Sequence, residues 1–398
     1  VRPFSSPSDA PGLFDEILAR TQARTATSDG AWLRALLEVE AALARAASGA
    51  GLLPAEVASA IVNACFTVEL DVAALARGAA ANGNPVVPLV EQLRAAVPPE
   101  IAPYVHKGAT SQDILDSAAM LIAHRALGPI LGDLHGAADA AASLARHYRD
   151  TPMAGRTLLQ QAVPTTFGLK AAGWMVGLDE AMARLNLVRT TRLSVQYGGA
   201  AGTLAGLDGA GPEVGRRLAQ ELGLAEAVLP WHTDRSRPAE LAGALGGAAG
   251  IVAKVARDIT LLAQNEVAEV SEGSPGGSST MAHKRNPVAA ISAAACAAQA
   301  PGLVATMLAS MAHEHERAAG AWHAEWRPLR ELLVSTGSAA AWLRESLGQL
   351  DVRPDAMRAN LGRLLAVLGV DTPDLGSAPD LVDRALADRA SRSTVDRS

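Results

Sequence analysis

From Val288 to Ala312 the chain carries no charged side chain. A stretch of that length could cross a bilayer as a helix, and a helix that is apolar on every side needs neighbours on every side. Its residues choose between these settings. Alanine dominates, Gln299 lies inside, and Pro301-Gly302 interrupts it, which suits a helix buried among helices better than one facing lipid. The expected place is therefore the middle of a helical bundle and of an oligomer, with no membrane involved.

The rest of the chain fits that setting. Apolar residues make up 49% of the 398 residues but aromatics only 3%, so small side chains would let helices approach closely. In "LRALLEVEAALARAA", Leu36, Val39, Leu43 and Ala46 or Ala47 recur at helical spacing, as do Ile251, Val255, Ile259 and Leu262 further on. Two long helices are expected from about Gln112 to Tyr148 and from Pro164 to Val195, and no β-α-β alternation is evident. Proline clusters near residues 95–104 and 350–357 suggest three segments: a helical N-terminal domain (1–105), a central long-helix bundle (106–349) and a short helical C-terminal domain (350–398).

The net charge of -6 argues against nucleic acid or an anionic membrane as a partner. Cys65 and Cys296 give neither a disulfide framework nor metal spacing. The segment "VRPFSSPSDAPG" lacks the apolar core of a signal peptide. A cytoplasmic protein is expected.

The chemistry concentrates in "EGSPGGSSTMAHKRNPVAAI", residues 272–291. It is not a phosphate loop, because Lys284 does not directly follow a glycine. It is not a nucleophile elbow either, since no glycine closes the pattern after Ser278. A flexible linker and a loop delivered onto a helix both remain. The second is favoured by Asn286 as N-cap and Pro287 as first helical residue. Such a helix start attracts anions, and Lys284 and Arg285 add positive charge.

"GGSSTMAHKRNP" resembles the signature loop of the fumarase, aspartase and adenylosuccinate lyase superfamily, with Ala282 where proline is usual. "HKGATSQDILDSA" (106–118) resembles the superfamily's Thr-Ser-x-Asp stretch and "GRTLLQQAVPTTFGLK" (155–170) its Gly-Arg-Thr-His-x-Gln stretch. The second stretch has Leu158 in place of the histidine. That substitution, with "HEHERAAGAWHAEW", is similar to the branch of 3-carboxy-cis,cis-muconate cycloisomerases. Beyond Asn360 the chain is expected to be shorter than the family's usual C-terminal region.

The resemblance implies an all-α, three-domain fold with a central long-helix bundle, and a homotetramer with shared active sites. It implies a tricarboxylate substrate and neither metal nor organic cofactor. It assigns Ser278 to proton transfer, with Lys284 lowering its pKa. Thr110, Ser111 and Gln112, then Thr157 and Gln160, then Ser279, Lys284 and Asn286, and finally Arg317, would bind substrate. Thr110 and Ser111 read equally as a helix cap. His106 reads as a proton carrier or as a satisfied structural histidine.

Leaving-group chemistry makes sense of Leu158. A carboxylate leaves without a proton, whereas ammonia, hydroxide or an amine needs an acid. Other β-eliminating lyases of the superfamily, and a non-catalytic crystallin-like role, are the alternatives. "HEHER" (313–317) is not a metal motif, because on a helix its two histidines would point to different faces. "GGAAG" (198–202) is not a dinucleotide fingerprint.

Overall fold

The computed structural model describes residues 12–395, except 275, 278–280, 282 and 283. Five long helices make the body: α1 (Asp29–Gly49), α2 (Ser111–His147), α3 (Phe167–Thr191), α4 (Ser236–Leu262) and, after the short α5 (Val288–Ala297) and α6 (Ala300–Ala309), α7 (Ala321–Gly348). α2 packs on α1, α3 and α7, and α4 packs on α3, α5, α6 and α7.

Small residues make this packing close. The buried face of α2 includes Ala118, Ala123, Ala126, Ala137, Ala138 and Ala141. Larger groups lock the layers together, with Phe167 edge-on to Trp174 at 5.7 Å and the Trp174 indole N–H donating to Asp258 at 2.8 Å. Helix starts follow capping chemistry, the Ser28 and Thr166 hydroxyls accepting from the Ala31 and Leu169 amides.

The charge-free segment forms two helices broken at Ala298 and Gln299. Its inner face is buried at Ala290, Ala293, Cys296 and Ala300, while Ile291 and Leu308 are about half exposed. One copy of the chain therefore covers only part of this face. By length and composition α2, α4 and the span Val288–Ala309 could each cross a bilayer. In this fold all three pack on α7, and α4 also packs on the Val288–Ala309 span.

The helix expected from Pro164 begins later. Residues 152–166 form an antiparallel hairpin, β1 (Pro152–Thr157) and β2 (Gln160–Thr166), in which Pro164 pairs with Ala154 and Thr157 with Gln160. A second small sheet pairs β3 (Val270–Glu272) with β4 (Leu350–Val352). Past β4, α8 (Pro354–Leu368) packs on the first hairpin through Ala154, Leu361 and Leu364. α9 (Ala378–Val395) returns to α3 and α2, held by ion pairs of Asp383 with Arg149 and of Arg389 with Asp139 and Asp179.

Candidate active site

The start of α2 is densely hydrogen-bonded. Thr110 occupies the N-cap and Ser111 the first helical position, so the capping reading describes their backbone. Asp113 accepts from the Thr110 amide at 2.9 Å, the reciprocal half of a capping box. The same carboxylate accepts from the Gly198 and Gly199 amides at 3.0 and 2.9 Å and meets His232 Nε2 at 2.7 Å. One buried side chain thus ties three distant segments into a single wall. "GGAAG" serves here as a turn whose backbone wraps a carboxylate.

Gln112 lies inside that wall, fully buried. Its amide nitrogen donates to Asp116 Oδ2 and the His232 carbonyl at 3.1 and 2.8 Å, and its oxygen accepts from Arg317 at 3.2 Å. Its hydrogen-bonding groups are occupied from within, so its visible work is to hold Arg317. The Arg317 guanidinium also donates to the Ala200 carbonyl at 2.9 Å. Every hydrogen-bond acceptor seen for it is neutral. Among the described residues no carboxylate pairs with this half-buried cation, so its charge is left for something else.

Behind the wall is a second layer. Arg235 bridges Asp116 (2.8 Å) and Glu325 (2.6 Å), all three buried, and the Trp322 indole donates to Asp116 at 3.0 Å. Burial first, then the companion charge of Asp116, pushes Glu325 above the usual carboxylate range against the pull of Arg235. His313 faces Glu325 from 3.4 Å. "HEHER" lies in the loop before α7 and not on a helix, which corrects the helical placement. His313 turns inward, Glu314 accepts from the Ala319 amide, and Arg317 joins the wall. Among the described residues no group of three histidine, cysteine or acidic side chains could hold a metal ion.

His106 stands at the entrance to α2 with φ of +66°, a left-handed conformation that costs a non-glycine residue energy. Its Nδ1 is 2.6 Å from Glu40 of α1, which is itself buried.

The other two motifs lie on the β1–β2 hairpin and in the segment before α5. Thr157 and Gln160 flank the tip of the β1–β2 hairpin. Between them Leu158 and Leu159 adopt φ of +52° and +67°, and Leu158 is 96% exposed. The turn exposes two leucines in a conformation that glycine or asparagine favours. Arg156, one residue before the tip pair, is pinned by a bidentate pair with the fully buried Glu269, which also accepts from Asn360 at 2.9 Å.

Ser278 and Ser279, like Ala282, lie outside the described residues. The neck of their loop is closed by two backbone hydrogen bonds between Gly276 and Asn286, both 3.0 Å. Lys284 and Arg285 are exposed beyond it, with no carboxylate partner among the described residues. Pro287, not Asn286, is the N-cap of α5, and no side chain of either caps it. The helix start is instead filled by Glu272. Its two oxygens accept from the Ala289 and Ala290 amides at 3.0 and 2.9 Å, and Ser346 donates to it at 2.6 Å. An internal carboxylate thus occupies the anion site expected there, which leaves Lys284 and Arg285 as the loop's positive groups.

Sequence reasoning missed Asp113, His232, Arg235, Glu269 and Glu272 as builders of this arrangement. Only Asp113 had a local signal, as the last residue of the Thr-Ser-x-Asp stretch.

The comparisons with known proteins agree with the motifs. A family model described as "Lyase" matches residues 15–302. The chain belongs to this lyase family. It is 46% identical over 355 residues to a 3-carboxy-cis,cis-muconate cycloisomerase of Bradyrhizobium diazoefficiens, covering 88% of this chain and 79% of that one. It is also 46% identical over 406 residues to a nitrosuccinate lyase of Streptomyces davaonensis, covering 97% of this chain and 85% of that one. The crystal structure of the 3-carboxy-cis,cis-muconate lactonizing enzyme of Pseudomonas putida superposes with a TM-score of 0.83 at 38% identity, covering 97% and 88% of the two chains. The fold is accordingly the all-α, fumarase-like fold with a central long-helix bundle.

Proposed function

We propose that this chain is a cytoplasmic 3-carboxy-cis,cis-muconate cycloisomerase, an intramolecular lyase that closes the tricarboxylate to a carboxymuconolactone in aromatic catabolism. Leu158 carries the reading. It occupies the exposed tip of the hairpin where the superfamily motif places a histidine, so the reaction served must do without that acid. In lactonisation one substrate carboxylate oxygen bonds to one carbon of a double bond and a proton adds to the neighbouring carbon. No atom is lost, and in reverse the leaving group is a carboxylate that needs no proton.

Ser278 delivers that proton in this scheme, and Lys284, from the same stretch of sequence, favours its alkoxide. Charge accumulating on the substrate carboxylate meets Arg317, whose cation faces only neutral oxygens, and the hydroxyls of Thr110, Ser111 and Ser279. Gln112 acts by fixing Arg317, and Asn286 by closing the loop's neck. Thr157 and Gln160 are exposed among the described residues, which supports a homotetramer in which the hairpin of one copy completes the site of another. The half-covered outer face of α5 and α6 supports the same assembly.

A second reading rests on the nitrosuccinate lyase, whose match spans 97% of this chain. Elimination from a nitro-substituted succinate expels nitrite, a weak base that also leaves without an acid, so Leu158 is compatible with it. Following ultraviolet absorbance with 3-carboxymuconate, nitrosuccinate and adenylosuccinate in turn separates the readings. Loss of the muconate's conjugated absorption with lactone formation is expected. Turnover of nitrosuccinate with nitrite release and an unchanged muconate would overturn the proposal in favour of the second reading. Turnover of adenylosuccinate alone would return the chain to the amine-expelling lyases, and silence with all three would point to a non-catalytic role.

A further inference from the structure

The turn before α2 places a histidine in strained backbone against a carboxylate of α1. His106 Nδ1 and Glu40 Oε1 are 2.6 Å apart, His106 is left-handed, and Glu40 is 1% exposed. Glu40 stands on α1 among alanines and leucines, where an isolated carboxylate is costly. Its second oxygen is buried without a hydrogen-bond partner among the described residues. A merely structural pair would be better served by apolar residues of similar size.

The surroundings say what the pair does. The Lys107 carbonyl accepts from the Tyr197 hydroxyl, and the Gly108 carbonyl lies against Gly199, so the turn that carries His106 packs on the wall that holds Arg317. With Nδ1 engaged by Glu40, the ring's other nitrogen has no partner among the described residues. We propose that Glu40 is a positioning residue that holds His106 in its doubly protonated form, leaving the Nε2–H as a second cationic donor, beside Arg317, for a substrate carboxylate. The inference rests on the reading of this wall as the place where a polycarboxylate binds.

The charged groups around the imidazole support it. Burial disfavours the imidazolium, but Glu40 on α1 and Asp113 on α2 outweigh burial and Arg94, on the helix Val86–Ala95, so the His106 pKa is raised. Cys65, on the helix Ala55–Thr67, is a buried thiol that also feels the charge of Glu40. Burial first and Glu40 next push it up to about 12, so it stays neutral and does not compete for the carboxylate's charge.

The test is a histidine NMR titration of the full-length protein labelled with 13C at the imidazoles, with His106→Gln identifying the resonance, joined to the pH profile of kcat/KM. In the parent protein His106 is expected to titrate above the ordinary imidazole value. In Glu40→Gln it is expected to titrate lower than in the parent, with the alkaline fall of kcat/KM moving down with it through KM rather than kcat. Glu40→Asp, which keeps the charge, should restore both and serves if the glutamine variant does not fold. An unchanged His106 titration in Glu40→Gln overturns the pairing. A shifted titration with an unmoved KM profile overturns the role toward substrate. Failure of the muconate assay alone leaves the NMR result to stand or fall by itself, so the two readings fail separately.

Discussion

The wall at the start of α2 and the two arms that carry the other motifs are built on opposite principles. At the wall, Asp113 alone gathers three backbone amides and a histidine, and Arg235 bridges two carboxylates in the layer behind. At the arms, Thr157, Leu158, Gln160 and Lys284 are exposed, and the buried carboxylates stand next to them: Glu269 on Arg156, and Glu272 at the start of α5. Rigidity belongs where charge must be preorganised. Exposure belongs where another copy or the substrate supplies the missing contacts.

The contrast can be broken most decisively on an arm. Ser278→Ala is expected to lower kcat by about a hundred- to ten-thousand-fold while leaving thermal stability and substrate binding unchanged. A variant that turned over at the parental rate would remove the serine from the mechanism. The wall should answer in the opposite currency. Arg235→Met leaves Asp116 and Glu325 buried without their cation, and a loss of about 3–5 kcal/mol in urea unfolding is expected. A midpoint equal to the parent's would mean that this layer is not what holds the wall.

Glu272→Ala probes the junction between the two. It strips two amides and the Ser346 hydroxyl of their acceptor at once, for an expected cost of about 1–3 kcal/mol, with inorganic phosphate or sulfate partly restoring stability by filling the vacated helix start. No protection by either anion would show that the site is closed to solvent. A smaller effect is expected at the hairpin tip. Replacing Leu158-Leu159 by Asn-Gly should relieve about 1 kcal/mol or more of left-handed strain yet weaken assembly, read as a shift to smaller species in sedimentation velocity. Unchanged assembly would remove the tip from the interface. The least change of all is expected at the thiols. With Cys65 pushed up to about 12 and Cys296 to about 11, chiefly by burial, the folded protein should take up no iodoacetamide at pH 8. Labelling of either thiol without unfolding would expose an opening in the core.

Features written locally were legible in the sequence. The 3.6-residue period marks α1, α2 and α4, and the three motifs name the family because each is a short contiguous string. The hairpin escaped because its turn is Leu158-Leu159, with none of the glycine or asparagine that left-handed backbone favours. The placement of "HEHER" failed because an apolar run flows into it without punctuation. The partnerships failed for a deeper reason: His232 reaches Asp113, Ser346 reaches Glu272 and Glu269 reaches Arg156 across long stretches of chain. No window of residues shows that a carboxylate will find its donors so far away.

The way α5 begins bears on how such a loop can be moved or compared. Residues 276–287 look like a self-contained cassette, yet the amides that open the following helix are answered by Glu272 before the loop and steadied by Ser346 on α7. Transplanted alone, the loop would arrive with an unneutralised helix end and would recruit whichever anion was nearest, the substrate included. Its unit of inheritance is therefore three pieces of chain that must change together, and a search keyed to the contiguous string would overlook two of them.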